Sequence, residues 1–153
     1  MSAYLWVKLL HILSATVLFG TGVGTAYFML RAYLSGNQLT LLHTSKHVVA
    51  ADWMFTTPAV FVQLITGLWL TSKLGIPYDS PWFRLVLGLF VFTGVCWIPV
   101  VWIQIRVRNL AADSAAPDEY RYLMRAWILL GIPAFASVLI LFFLMVSKYG
   151  IYG

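Results

Sequence analysis

Lys8 and His11 stand three positions apart in "AYLWVKLLHILSATVLFGTGVGTAYFMLRAYL", residues 3–34, an apolar run long enough to cross a bilayer. On a helix such a spacing puts both side chains on one face, with Lys8 one turn nearer the surface. His11 lies about 10 Å of helix beyond Tyr4, so its ring sits within the hydrocarbon region rather than in water. Ionisable groups at such depth face a bundle interior and mark sites. A neutral imidazole there can ligate a haem iron, while a cation nearer water can meet the haem propionates. A His bonded to a neighbouring helix, with a Lys snorkelling to headgroups, has the same spacing, and both readings stay open here.

Other residues can join such a site or form their own. His43 and His47 make an i, i+4 pair beside Lys46 and just ahead of Asp52. Two imidazoles on one face can bind a transition metal, and Asp52 can add a carboxylate or orient one ring. Histidines at an interface need no metal to explain them. The first helix separates His11 from Leu34 by about 35 Å, and His47 begins the returning helix on that far side, so the two cannot ligate one haem. The second ligand of an iron on His11 is then Met145, the soft donor in the same half, or the position is open. Iron on His43 or His47 would belong to a second haem, near Met54 or Met29. Arg84, one turn into the third span, can join Lys8 as a propionate or headgroup partner.

In "ADWMFTTPAVFVQLITGLWL", Asp52, Thr56, Thr57 and Gln63 draw a polar line into an apolar helix. Thr57 can return a hydrogen bond to the backbone at the Pro58 kink, and the buried Gln63 amide requires a partner on another helix. Gly20 and Gly24 form G-x-x-x-G, which admits a close helix or a second copy of the chain, and which can also leave room for a flat macrocycle. The methionines are dispersed, as gap-filling residues are, rather than clustered for copper. No G-x-S-x-G, Walker loop, dinucleotide fingerprint or C-x-x-C occurs, so hydrolase and nucleotide chemistry lack support.

The elements that carry these residues follow from composition. The chain has 153 residues, 61% of them hydrophobic and only 10% charged, and a mean hydropathy of +0.86. That balance belongs to an integral membrane protein. Four windows are long enough to span: 4–34, 48–74, 82–107 and 122–147. Between them "SGNQLTLLHTSK", "GIPYDSP" and "NLAADSAAPDEY" carry helix stops, and Ser80-Pro81 and Pro117 with Asp118 and Glu119 open the last two helices. The fold class predicted is all-α, a single domain over 1–153, built as an integral membrane antiparallel four-helix bundle. The first segment is too long for a signal peptide and is expected to remain as the first span. Pro58, Pro99 and Pro133 fall inside spans and should bend them.

The net charge of +5 reflects basic residues at helix ends, which points away from nucleic acid and toward the lipid bilayer. Arg31, Lys46, Arg106, Arg108, Arg121 and Arg125 lie at one side, against Lys8, Lys73, Arg84 and Lys148 at the other. That asymmetry favours both termini outside, periplasmic for a bacterial inner-membrane protein. Tyr4, Trp6, Trp82 and Tyr149 then form an outer aromatic belt, and Trp53, Trp102, Tyr122 and Trp127 an inner one. The single Cys96 reads as a buried hydrophobe.

With these residues placed, "VKLLHILSATVLFG", "DWMFTTPAVFVQLITGLWL" and "YRYLMRAWILLGIPAF…LMVSK" carry a resemblance. The chain is similar, over nearly its whole length, to small four-helix membrane proteins related to HemJ-type protoporphyrinogen oxidases and the copper-resistance protein D domain. It most resembles an uncharacterised bacterial branch of predicted integral membrane proteins. The resemblance implies haem b in the bundle, His11 in the place of the helix-one histidine, and Lys8 in that of the preceding basic residue. Where the HemJ-type proteins have "WF" after that histidine and a further histidine near the helix end, this chain reads "VLFG" and "RAYL". Their "N-E-x-P" is replaced by "WILLGIP", which removes proton-handling groups. Three functions follow as expectations: a b-type cytochrome moving electrons with a quinone or redox partner protein, a porphyrinogen-oxidising enzyme, and a non-catalytic membrane scaffold or accessory subunit.

Overall fold

Helix stops and starts in the sequence set the architecture. The computed structural model describes residues 2–113 and 117–151. Helix α1 runs Ala3–Leu34, α2 Gln38–Ala51, α3 Thr57–Lys73, α4 Pro81–Ala112 and α5 Pro117–Ile151, with one π-helical turn, Asp52–Thr56, joining α2 to α3. Gln38–Lys73 is thus one spanning helix, and the described residues contain four helices long and apolar enough to cross a membrane. The four-helix expectation holds, with the first and last connections shorter than the sequence suggests.

The second helix starts at Gln38 rather than Val48. Most of "SGNQLTLLHTSK" is helical because Asn37 supplies a cap: its Oδ1 accepts from the Thr40 N–H at 2.9 Å. Gly36, with φ +66°, ends α1 in the left-handed region a side chain disfavours. At the other turn, Gly75 donates to the Ser72 carbonyl and Ile76 to that of Thr71, both at 3.2 Å, closing the end of α3. Ser80 caps α4 through the Phe83 N–H, and Pro81 occupies the first helical position. Helix α4 continues to Ala112 and α5 opens at Pro117, so the last connection is shorter than predicted too.

Packing is uneven along the bundle. Helix α4 pairs with α5, α1 with α3, and α2 with both α1 and α4. The buried apolar cluster lies at the Asn37 end, where Met29, Leu41, Val48, Val107, Met124 and Trp127 meet. Toward the N-terminal end, Phe19 joins α1 to α5, stacked on Phe135 at 5.6 Å and edge-on to Phe142 at 5.4 Å. Large apolar side chains such as Phe28, Ile65, Ile98 and Phe143 point outward, as lipid-facing residues do.

Two aromatic-belt expectations are corrected. Trp82 and Trp127 are both buried, and the Trp82 indole donates to the Leu144 carbonyl at 3.3 Å. Trp6, Trp53, Trp102 and Tyr122 are exposed as expected, while the side chains of Lys148 and Tyr149 lie outside the described set. Cys96 is buried.

Candidate functional site

The His11 ring leans from α1 onto α3, and the two helices are fastened there through four side chains. His11 Nδ1 lies 2.8 Å from Thr66 Oγ1, and His11 Nε2 lies 3.1 Å from the Gln63 amide nitrogen. Gln63 Oε1 accepts a short hydrogen bond from Ser14, one turn beyond His11 on α1. Gln63 thereby finds the interhelical partners its depth requires. Sequence spacing makes this possible: positions 11 and 14 on α1, and 63 and 66 on α3, each lie one turn apart and share a face.

The hydroxyl protons fix the state of the ring. Thr66 donates to the Val62 carbonyl at 2.5 Å, so its oxygen accepts from His11 Nδ1–H. Nδ1 then holds the ring proton and Nε2 a lone pair, to which the Gln63 amide donates. Gly67 completes the arrangement, since a Cβ there would meet His11 Cε1 at 3.2 Å. This close approach, tighter than ordinary van der Waals contact, is one the sequence reading missed. Gly20, Gly22 and Gly24 have nothing within 4 Å of an added Cβ, so within the chain the G-x-x-x-G pair seats no helix.

The other expected site residues make no hydrogen bond to the His11 ring. Lys8 is exposed one turn away on α1, Arg84 is exposed on α4, and Met145 on α5 is 38% exposed. Both ring nitrogens are engaged by α3, so none of these three bonds the imidazole. His43 and His47 lie on the exposed face of α2 rather than in a loop. His47 lines a shallow groove of about 470 Å³ with Thr21, Gly24, Thr25 and Phe55. Asp52 does not orient either ring: its Oδ1 accepts from Thr56 at 2.9 Å. Among the described residues no three His, Cys, Asp or Glu side chains converge as a metal site.

Thr57 fulfils its expected role, donating to the Asp52 carbonyl at 3.0 Å across the π turn that precedes Pro58. The extra residue of that turn rotates the following helix relative to α2, and it ends where the proline ring enters.

No curated protein and no solved structure matches the chain. A family model described as predicted integral membrane protein (DUF2269) matches residues 5–149. Four spanning helices and a match over nearly the whole length lead to one conclusion: the chain belongs to this family of predicted integral membrane proteins.

Proposed function

We propose that the chain is a small membrane protein that binds haem b through His11 and transfers electrons, with a quinone or a redox protein as partner. The observation that supports this reading is the tautomer imposed by Thr66. A metal-ligating imidazole needs its remote N–H held by an acceptor and its other nitrogen unprotonated, and Thr66 and Val62 arrange His11 that way. The fit carries one condition: the Gln63 amide occupies Nε2, and a ligand there takes its place. Lys8, exposed one turn nearer the surface, and Arg84 on α4 are the cations available to propionates.

Bound haem supplies reversible one-electron chemistry at iron. The chain's own part is to hold the ring, keep its proton on Nδ1 and surround it with lipid-facing helices. In this reading the protein sits in a bacterial inner membrane with both termini outside, following the excess of Arg and Lys at the Asn37 end.

A second reading rests on a different observation. Both ring nitrogens already have partners on α3, so His11, Gln63, Ser14 and Thr66 serve equally as a clamp in a non-catalytic scaffold or accessory subunit. Visible spectra of detergent-purified protein, oxidised and dithionite-reduced, separate the two. A Soret band and reduced α and β bands that vanish in His11→Ala support the cytochrome. A colourless protein made with ample haem leaves the clamp. Porphyrinogen turnover by the purified protein would instead favour the HemJ-like enzyme.

A further inference from the structure

A cavity of about 320 Å³, at the small end of the range for ligand pockets, opens at the Asn37 end of the bundle, where the end of α1, the turn into α2 and the start of α5 meet. Gly36, with φ +66°, reverses the chain there, so that Tyr33 before it and Asn37 after it line the same space. Tyr120 and Arg121 complete the lining from α5, and the Tyr33 and Tyr120 rings meet edge-on at 6.5 Å. None of these residues belongs to the His11 clamp.

The lining offers donors that the chain does not use. Tyr120 is only 5% exposed, yet its hydroxyl makes no hydrogen bond among the described residues, and neither does that of Tyr33. A polar group so deeply placed needs a partner from inside the cavity. Asn37 spends its side-chain oxygen on the Thr40 cap at 2.9 Å, which leaves its amide N–H groups free to donate. Arg121 adds an exposed guanidinium, and no carboxylate stands among the described lining residues. Neutral donors grouped with one guanidinium suit the oxygens of a phosphate.

Depth decides which phosphate this is. Helix α1 has 32 residues and so runs about 48 Å, well beyond the roughly 30 Å hydrocarbon core, which puts its last turn, with exposed Arg31, among the headgroups. Leu34, 64% exposed at the cavity edge, offers apolar surface to a lipid chain. Arg31, Lys46, Arg106, Arg108, Arg121 and Arg125 outnumber Asp113, Asp118 and Glu119 at this end, which favours a headgroup of net negative charge over one carrying its own ammonium. We propose that the cavity binds the phosphodiester headgroup of an anionic phospholipid, held by Arg121, Asn37, Tyr33 and Tyr120. The inference is independent of the haem reading.

Native mass spectrometry of the full chain in detergent, titrated with phosphatidylglycerol or phosphatidylcholine, tests it. Phosphatidylglycerol should bind the wild type about tenfold tighter than phosphatidylcholine, and Arg121→Gln should remove most of that margin. Tyr33→Phe combined with Tyr120→Phe keeps both rings and their edge-on contact while removing the hydroxyls, and should also weaken binding. Asn37→Asp gives an independent arm: it keeps the acceptor for the Thr40 N–H, so the helix end is preserved, but sets a negative charge against the phosphate. Arg106→Gln, exposed on α4 and outside the cavity, should cost much less than Arg121→Gln. Equal binding of the two lipids, full affinity in the double phenylalanine or Asn37→Asp variant, or equal losses in Arg106→Gln and Arg121→Gln would each overturn the proposal. Displacement by inorganic phosphate as readily as by short-chain phosphatidylglycerol would overturn it too, in favour of a site for free phosphate.

Discussion

Gly67 and His11 meet so closely that a Cβ on Gly67 would lie 3.2 Å from Cε1 of the ring. The ring cannot easily retreat, because Gln63 and Thr66 of the same helix hold its two nitrogens. Gly67→Ala should therefore strain or break one of these bonds and lower stability by about 1–3 kcal/mol, with Gly67→Val worse. Reversible unfolding in mixed detergent micelles reads the difference. Unchanged stability in the alanine variant would mean that the clamp has slack.

The helix-one glycines should behave oppositely. An added Cβ at Gly20, Gly22 or Gly24 meets nothing within 4 Å, so each alanine variant should match wild type within about 0.5 kcal/mol. Dilution-dependent energy transfer between labelled copies in detergent gives the complementary test. If Gly20→Ala weakens self-association without altering unfolding, the pair seats a second copy of the chain.

The sequence made four spans legible because apolar length is a strong signal, and it marked His11 and Gln63 because polar groups inside a span need partners. Pairing Gln63 with His11 was not legible: it depends on the register between α1 and α3, which no local pattern encodes. Gly67 was missed for the same reason, while Gly20 and Gly24 drew attention through a motif whose partner the chain does not contain. The start of the second helix was misplaced because polar residues such as Thr40, His43, Thr44 and Lys46 resemble a loop, although the Asn37 cap was present to be read. The π turn left no sequence signal beyond the Thr57-Pro58 pair.

That cap supplies a local test. Asn37→Ala removes the acceptor of the Thr40 N–H and should cost about 1 kcal/mol, whereas Asn37→Asp or Asn37→Ser should cost little. Amide hydrogen exchange over residues 38–41 should accelerate in the alanine variant alone. Uniform exchange across all three variants would show that membrane packing, not the cap, holds this helix end.

His11 and Gln63 should be energetically coupled. A double-mutant cycle of His11→Ala and Gln63→Leu should give an interaction energy of about 0.6 kcal/mol, the average for hydrogen bonds between membrane helices, and at most about 1.7 kcal/mol. Ser14→Ala should reduce that coupling, because Ser14 holds the far end of the Gln63 amide. Additive effects of His11→Ala and Gln63→Leu would indicate that the two contacts form independently.

Thr66 separates the two functional readings most directly. Thr66→Val preserves side-chain shape but removes the acceptor for His11 Nδ1–H, whereas Thr66→Ser keeps it. As a clamp, the valine variant leaves a donor unpaired and should lose about 1–3 kcal/mol of stability, with serine close to wild type. As a haem ligand, His11 should also lose the orientation and basicity that its outer partner confers, and haem affinity should fall about 10–100-fold in the valine variant and recover in the serine one. Haem titration followed by the Soret band, alongside unfolding of the haem-free protein, reads both effects in one pair of variants. Lost stability with no haem binding in wild type supports the clamp, whereas an affinity that follows valine and serine in that order supports His11 as the ligand.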